Sequence, residues 1–172
     1  DYGNLGLLLS DRGDLDGAEA MYRKGLALND ELGRKEGMAA DYGNLGLLLS
    51  DRGDLDGAEA MYRRALELGE ELGDKERIAI QYGNLGLLLS ARGDLDGAEA
   101  MHRKGLALDE ALGRKEGMAA KYGNLGVLSV QRGEREAGIA LVSRARDLYA
   151  EMGMAPQVEQ ADDWLREQGE AP

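Results

Sequence analysis

The chain has 172 residues, with 33 acidic against 21 basic side chains and a net charge of −12, which argues against nucleic acid or an anionic membrane surface as its main partner. It contains no cysteine, so disulfides, thiolate metal sites and thiol nucleophiles are excluded. No apolar run approaches the about eighteen residues of a membrane span, no signal peptide opens the chain, and a cytoplasmic location is expected.

In chain order, the first feature is the stretch YGNLGLLLSDRGDLDGAEAMYRKGLAL, beginning at Tyr2. It returns at Tyr42 and Tyr82 almost letter for letter, and in worn form at Tyr122, always forty residues on. A fixed period of that length signals stacked supersecondary units, which bury apolar surface between neighbours instead of in one central core. Within each unit, apolar residues fall three and four apart on both sides of a turn signal, Arg12-Gly13-Asp14 in the first copy. Each unit is therefore two amphipathic helices joined by a tight turn, and the fold class is all-α, an α-solenoid.

Residues 1–12 read as the second half of a first helix. In later copies that helix starts near Lys35, because Met38, Tyr42, Leu45 and Leu49 make one continuous stripe. Asp14 is the expected N-cap of the second helix, with Asp16 and Glu19 in its first turn, where the helix dipole favours negative charge. Leu15, Ala18, Tyr22, Gly25, Leu28 and Leu32 stripe that helix, and Gly33 ends it, as Gly73, Gly113 and Gly153 do later. Copies one and three differ at six of forty positions, and copies one and two at nine, as recent duplication or consensus design would leave them. After Gly133 the pattern decays. A last helix follows from Ala155 to Gln168, with Pro156 in its first turn and Val158, Ala161, Trp164 and Leu165 on its apolar side. The chain thus reads as a single array over 1–172. A first repeat without its opening turns occupies 1–33, full hairpins occupy 34–73, 74–113 and 114–153, and a capping helix occupies 154–168.

Several signals resemble chemistry and have simpler structural readings. Arg12-Gly13-Asp14 spells an adhesion tripeptide, yet Gly13 serves the turn and Asp14 the helix cap. Asp11, Asp14, Asp16 and Glu19 miss the spacing of a calcium loop. Gly3 and Gly6 follow no strand, so a phosphate loop is not indicated. His102 replaces a tyrosine at a packing position, and no serine–histidine–acid set accompanies it. No enzyme activity, cofactor or metal is expected.

The repeat resembles the tetratricopeptide repeat (TPR), whose pattern places an aromatic, Leu-Gly, a large residue, then a small residue and an aromatic at set intervals. Those places hold Tyr2, Leu5, Gly6, Leu9, Ala18 and Tyr22, and again Tyr42, Leu45, Gly46, Leu49, Ala58 and Tyr62. The third copy has Tyr82, Leu85, Gly86, Leu89, Ala98 and His102; the fourth keeps Tyr122, Leu125 and Gly126 but has Ser129, Gly138 and Val142. The unit is longer than the usual 34 or so residues, and the proline that closes the second helix is missing. In this it is similar to the repeats of kinesin light chains and of Leu-Gly-Asn adaptors.

The resemblance implies a right-handed superhelix and an interaction scaffold that holds a peptide or partner helix in the concave groove of the first helices. By it, that groove is lined by Gly43, Asn44, Leu47, Ser50 and Asp51. Gly83, Asn84, Leu87 and Ser90 follow, then Asn124, Val127, Val130 and Gln131. The floor is expected to be small, apolar and nearly uncharged, with a row of Asn amides that serve either a ligand's backbone, since they donate and accept, or the stacking of helix on helix. Some TPR adaptors clamp a terminal carboxylate here, but Gly43, Leu47, Gly83 and Leu87 at the clamp positions do not supply that chemistry. The alternative is a self-assembling array. In it, Leu8 belongs to a flank that a preceding repeat would cover, and two such flanks meet as a homodimer.

Overall fold

Acidic caps and glycine turns cut the chain into short helices. The structure, a computed structural model, describes residues 1–169. Among them are nine α-helices and no strand: α1 (Tyr2–Asp11), α2 (Leu15–Glu31), α3 (Lys35–Asp51), α4 (Leu55–Leu72), α5 (Lys75–Ala91), α6 (Leu95–Leu112), α7 (Lys115–Gln131), α8 (Arg135–Glu151) and α9 (Ala155–Glu167). Asp14, Asp54 and Asp94 each accept a hydrogen bond from the backbone N–H three residues on, at 2.9 Å, which satisfies one of the orphan donors of a helix start. The turn before each cap needs a left-handed residue, and Gly53, with φ of 80°, supplies it. In the worn fourth copy Glu134 stands at the cap position and makes no side-chain capping bond. Among the described residues no helix is long and apolar enough to cross a membrane.

The chain divides into two compact units, Asp1–Leu88 and Leu89–Pro172; the boundary falls inside α5 instead of between hairpins. In the first unit the two helices of a hairpin meet through glycine and tyrosine. A Cβ built on Gly6 would lie 2.5 Å from the Tyr22 ring, and one on Gly46 the same distance from Tyr62. The next layer forms when Ala18 and Tyr22 of α2 cover Leu45 and Leu48 of α3, with Leu9, Leu26 and Met61 around them. Burying a leucine in this way contributes about 1.5–3 kcal/mol. Outside that layer, Arg52 reaches back to Asp16 at 2.5 Å and Glu19 at 2.6 Å.

The second unit repeats the scheme with substitutions that compensate one another. Val142 and Gly138 replace the aromatic and the alanine, so α7 and α8 approach backbone to backbone. A Cβ on Gly126 would lie 2.8 Å from the Gly138 carbonyl oxygen. The apolar side of α8 is closed by α9, where Val142, Ala161 and Leu165 cluster with Ile139 and Trp164. Arg132 pairs with Asp96 and Glu99 as Arg52 does with Asp16 and Glu19. Arg52 and Arg132 of these tripeptide-like turns are thus inter-hairpin clamps, and Asp14, Asp54 and Asp94 are helix caps.

Candidate functional site

Helical spacing puts Asn44 and Leu47 three residues apart on one face of α3, turned away from the buried Leu45 and Leu48. In the first unit that face opens into a cleft of about 370 Å³ between α3 and α5. Gly43, Asn44 and Leu47 form one wall, Ile80, Gln81 and Asn84 the other, and Asp74, Glu76 and Arg77 the rim. Leu47 is 47% exposed and Ile80 40%, so both present apolar surface to the cleft. Gly43 is buried because Gln81 lies over it, 3.2 Å from where a Cβ would stand. Gln81 also accepts a long hydrogen bond of 3.4 Å from the Asn84 amide.

A second cleft of about 580 Å³ lies between α1 and α3, where Asn4 and Leu7 face Ala40, Asp41 and Asn44. Asn44 borders both clefts. Asp41 accepts a hydrogen bond from the Asn29 amide at 2.8 Å; burial pushes its pKa up, and the Asn29 bond offsets part of that rise. In the second unit a cleft of about 240 Å³ is lined by Asn124 and Val127 of α7, by Tyr149 of α8 and by Gln157, Gln160 and Trp164 of α9.

Six of the residues singled out in the sequence line these clefts: Gly43, Asn44, Leu47, Asn84, Asn124 and Val127. Leu87 is half exposed on α5 and Gly83 is buried. Ser50 is half-buried beside the Tyr62 hydroxyl. Val130 packs where a side chain on Gly138 would otherwise be. Asp51 and Gln131 are exposed at helix ends, and Ser90 is half-buried. The charged rim, with Arg34, Asp41, Asp74 and Arg77, was not anticipated. Its signal was available, because residues 34, 74, 37 and 77 are among the few positions at which the first two copies differ.

Polar groups also lie deep in the second unit. Asp109 is fully buried and pairs with Arg114 at 2.8 Å and Lys121 at 3.0 Å. His102 is 1% exposed. Burial, with the Lys121 ammonium nearby, lowers its pKa to about 4, so it is neutral and out of reach of any substrate at physiological pH.

A tetratricopeptide repeat family model matches residues 2–71 and 37–111. Among solved structures, BtubC (BKLC) from P. vanneervenii is similar at 29% identity and a TM-score of 0.79, over 88% of this chain and 63% of that one. The chain therefore spans less than two thirds of that protein's length. A protein of Podosopora anserina described as a kinesin light chain with nearly identical TPR-like repeats matches at 14% identity and a TM-score of 0.75, over 97% of this chain and 83% of its own. A point variant of the same protein gives a TM-score of 0.77 at the same identity; at that identity the likeness concerns the fold alone. No curated protein matches the chain.

Proposed function

Because the chain belongs to the tetratricopeptide repeat family, whose members generally serve as protein–protein interaction scaffolds, we propose that it holds a peptide segment on its first-helix face and performs no chemistry itself. The carrying observation is Leu47, a large apolar side chain left 47% exposed in a cleft between the Asn44 and Asn84 amides. Such a surface suits a peptide whose apolar side chains enter the cleft while its backbone meets amides that both donate and accept. The net charge of −12 favours a peptide with basic residues flanking the apolar ones. A displayed library of random peptides, selected on the intact chain, tests this. Enriched peptides should be apolar and basic, and should lose binding to a variant carrying Leu47→Glu and Leu87→Glu that keeps its helical spectrum. Peptides that bind this variant as well as the parent would place the site elsewhere.

A second reading, association of two copies through α1, is favoured by the exposure of Leu5 (43%) and Leu8 (46%). Light scattering that gives a monomer mass up to millimolar concentration would exclude it; a dimer that Leu8→Lys dissociates would support it.

A further inference from the structure

The three forty-residue copies that begin at residues 1, 41 and 81 hold three different residues at one position only, that of Asn29, Gly69 and Asp109. This position lies on the second helix of a hairpin and looks toward the first helix of the next. There the corresponding partner position is Asp41, Gln81 and Lys121, again different each time. Repeats that agree nearly everywhere else disagree where they stack.

At α2–α3 and α6–α7 the two positions pair with each other, and at α4–α5 neighbouring residues fill the space instead. At α2–α3 the Asn29 amide donates to Asp41 and occupies the space that Gly37 leaves; a Cβ on Gly37 would lie 2.5 Å from that amide. Gly25 makes room for the Asp41 carboxylate in the same way, at 2.9 Å. At α4–α5 the shape is reversed. Gly69 is the hollow, Ile78 enters it from α5 to 3.2 Å from where a Cβ would stand, and Arg77 takes the place of Gly37. At α6–α7 the hollow returns to Gly117, which Asp109 fills, but the pair is now ionic, Asp109 with Lys121. At α8–α9 the corresponding residues are Tyr149 and Ala161, bulk against a methyl group.

We propose that these residues form a register code, which lets each hairpin stack on its own neighbour and refuse the near-copies. The surrounding contacts do not discriminate by residue type, since the residues of the Ala18–Leu45 contact recur as Ala58 with Leu85 and Ala98 with Leu125. Looping out a forty-residue hairpin costs little extra chain entropy, so skipped stacking is a real competitor during folding. The code penalises it. With α2 on α5, Asn29 meets the Arg77 side chain where it needs a glycine. With α4 on α7, Gly69 faces Gly117 across a void, and Lys121 is a buried ammonium without its carboxylate. With α6 of one molecule on α3 of another, Asp109 meets the Asp41 carboxylate in place of the Lys121 ammonium, so two buried carboxylates share one cation fewer than the native pair has. Specificity here comes from what the wrong pairings leave unpaired.

Two experiments on the full chain test this. In the first, Lys121→Asp lowers the urea midpoint, and adding Asp109→Asn restores most of it, because the pair of α2–α3 is then rebuilt over the same glycine at 117. No recovery, or a further loss, would overturn the pairing on which the code depends. In the second, Ala65→Gly, Gly69→Asn, Arg77→Gly, Ile78→Met, Gln81→Asp, Asp109→Asn and Lys121→Asp copy the α2–α3 residues into the next two junctions. Refolded from urea at high protein concentration, this uniform chain gives a several-fold larger fraction of misassembled species on size exclusion than the parent. A uniform chain that refolds to one species in the parent's yield would overturn the proposal. So would one that does not fold at all, since the copied junctions must be compatible with the scaffold.

Discussion

Residues Asp1 to Arg23 and Asp41 to Arg63 are identical in sequence, and their surroundings are not. Leu45 and Leu48 are 3% and 2% exposed beneath Ala18 and Tyr22, whereas Leu5 and Leu8 in α1 are 43% and 46% exposed. Inside the hairpins the two copies agree: Gly6 meets Tyr22 as Gly46 meets Tyr62. Contacts within a hairpin therefore belong to its own sequence, while burial of its outward flank belongs to its neighbour. This is the nearest-neighbour energetics of a repeat array, seen in one pair of identical segments.

The largest expected effect follows from that contrast. Leu48→Ala should cost about 2–5 kcal/mol, since it removes a buried side chain and leaves a cavity. Leu8→Ala, the same change in the same sequence, should stay within about 0.5 kcal/mol. Urea unfolding followed by circular dichroism measures both, and equal losses would break the comparison.

The third copy sharpens it through pH. His102 stands where Tyr22 and Tyr62 stand, and its imidazole Nδ1 is buried without a hydrogen-bond partner. Its pKa falls from 6.5 to about 4 on folding, so between those values the unfolded chain binds a proton that the folded chain does not. Stability is thus full above pH 6.5 and declines as pH falls toward 4, by roughly 3 kcal/mol from this residue. His102→Tyr should remove that part of the slope and raise the melting temperature at pH 5. If the two proteins show the same pH dependence, His102 is not the group responsible.

These pairs also show what the sequence could and could not carry. The forty-residue period was legible as plain self-similarity, and the aspartate caps and the closing α9 helix because each rests on spacing within one or two turns. The binding face was legible only in part. Asn44 and Leu47 follow from helical phase, but Ser50, at the edge of the same arc, is half-buried beside the Tyr62 hydroxyl. The charged rim was missed because Asp74, Glu76 and Arg77 belong to the next hairpin, and a helical wheel of α3 does not show what stands across from it. Arg52 was read only as part of a turn, since its partners Asp16 and Glu19 lie 36 and 33 residues away.

A smaller effect tests the half of the comparison in which the copies agree. Gly6→Ala and Gly46→Ala each press a methyl group into a tyrosine ring, at about 1–3 kcal/mol for overpacking, offset by up to about 1 kcal/mol of helix propensity. The two losses should match within error. A large difference would mean that the hairpin's interior also depends on its neighbours.

The smallest effect is electrostatic and again separates identical residues. Arg52 pairs with Glu19, whose side chain is 15% exposed, and with Asp16, which is 95% exposed. Arg12 makes no ion pair among the described residues. Removing the charge by Arg52→Gln should cost about 0.5–1 kcal/mol, the range of partly exposed pairs, with most of it from Glu19 because the Asp16 carboxylate stays hydrated. Arg12→Gln should change nothing measurable. Salt provides the second axis: exposed pairs are screened beyond about 8 Å at physiological ionic strength and more closely in stronger salt. The Arg52→Gln deficit should therefore shrink in molar sodium chloride, while the Leu48→Ala deficit should not. If the Arg52 deficit is unchanged by salt, the arginine contributes through packing of its stem, and the clamp is steric instead of ionic.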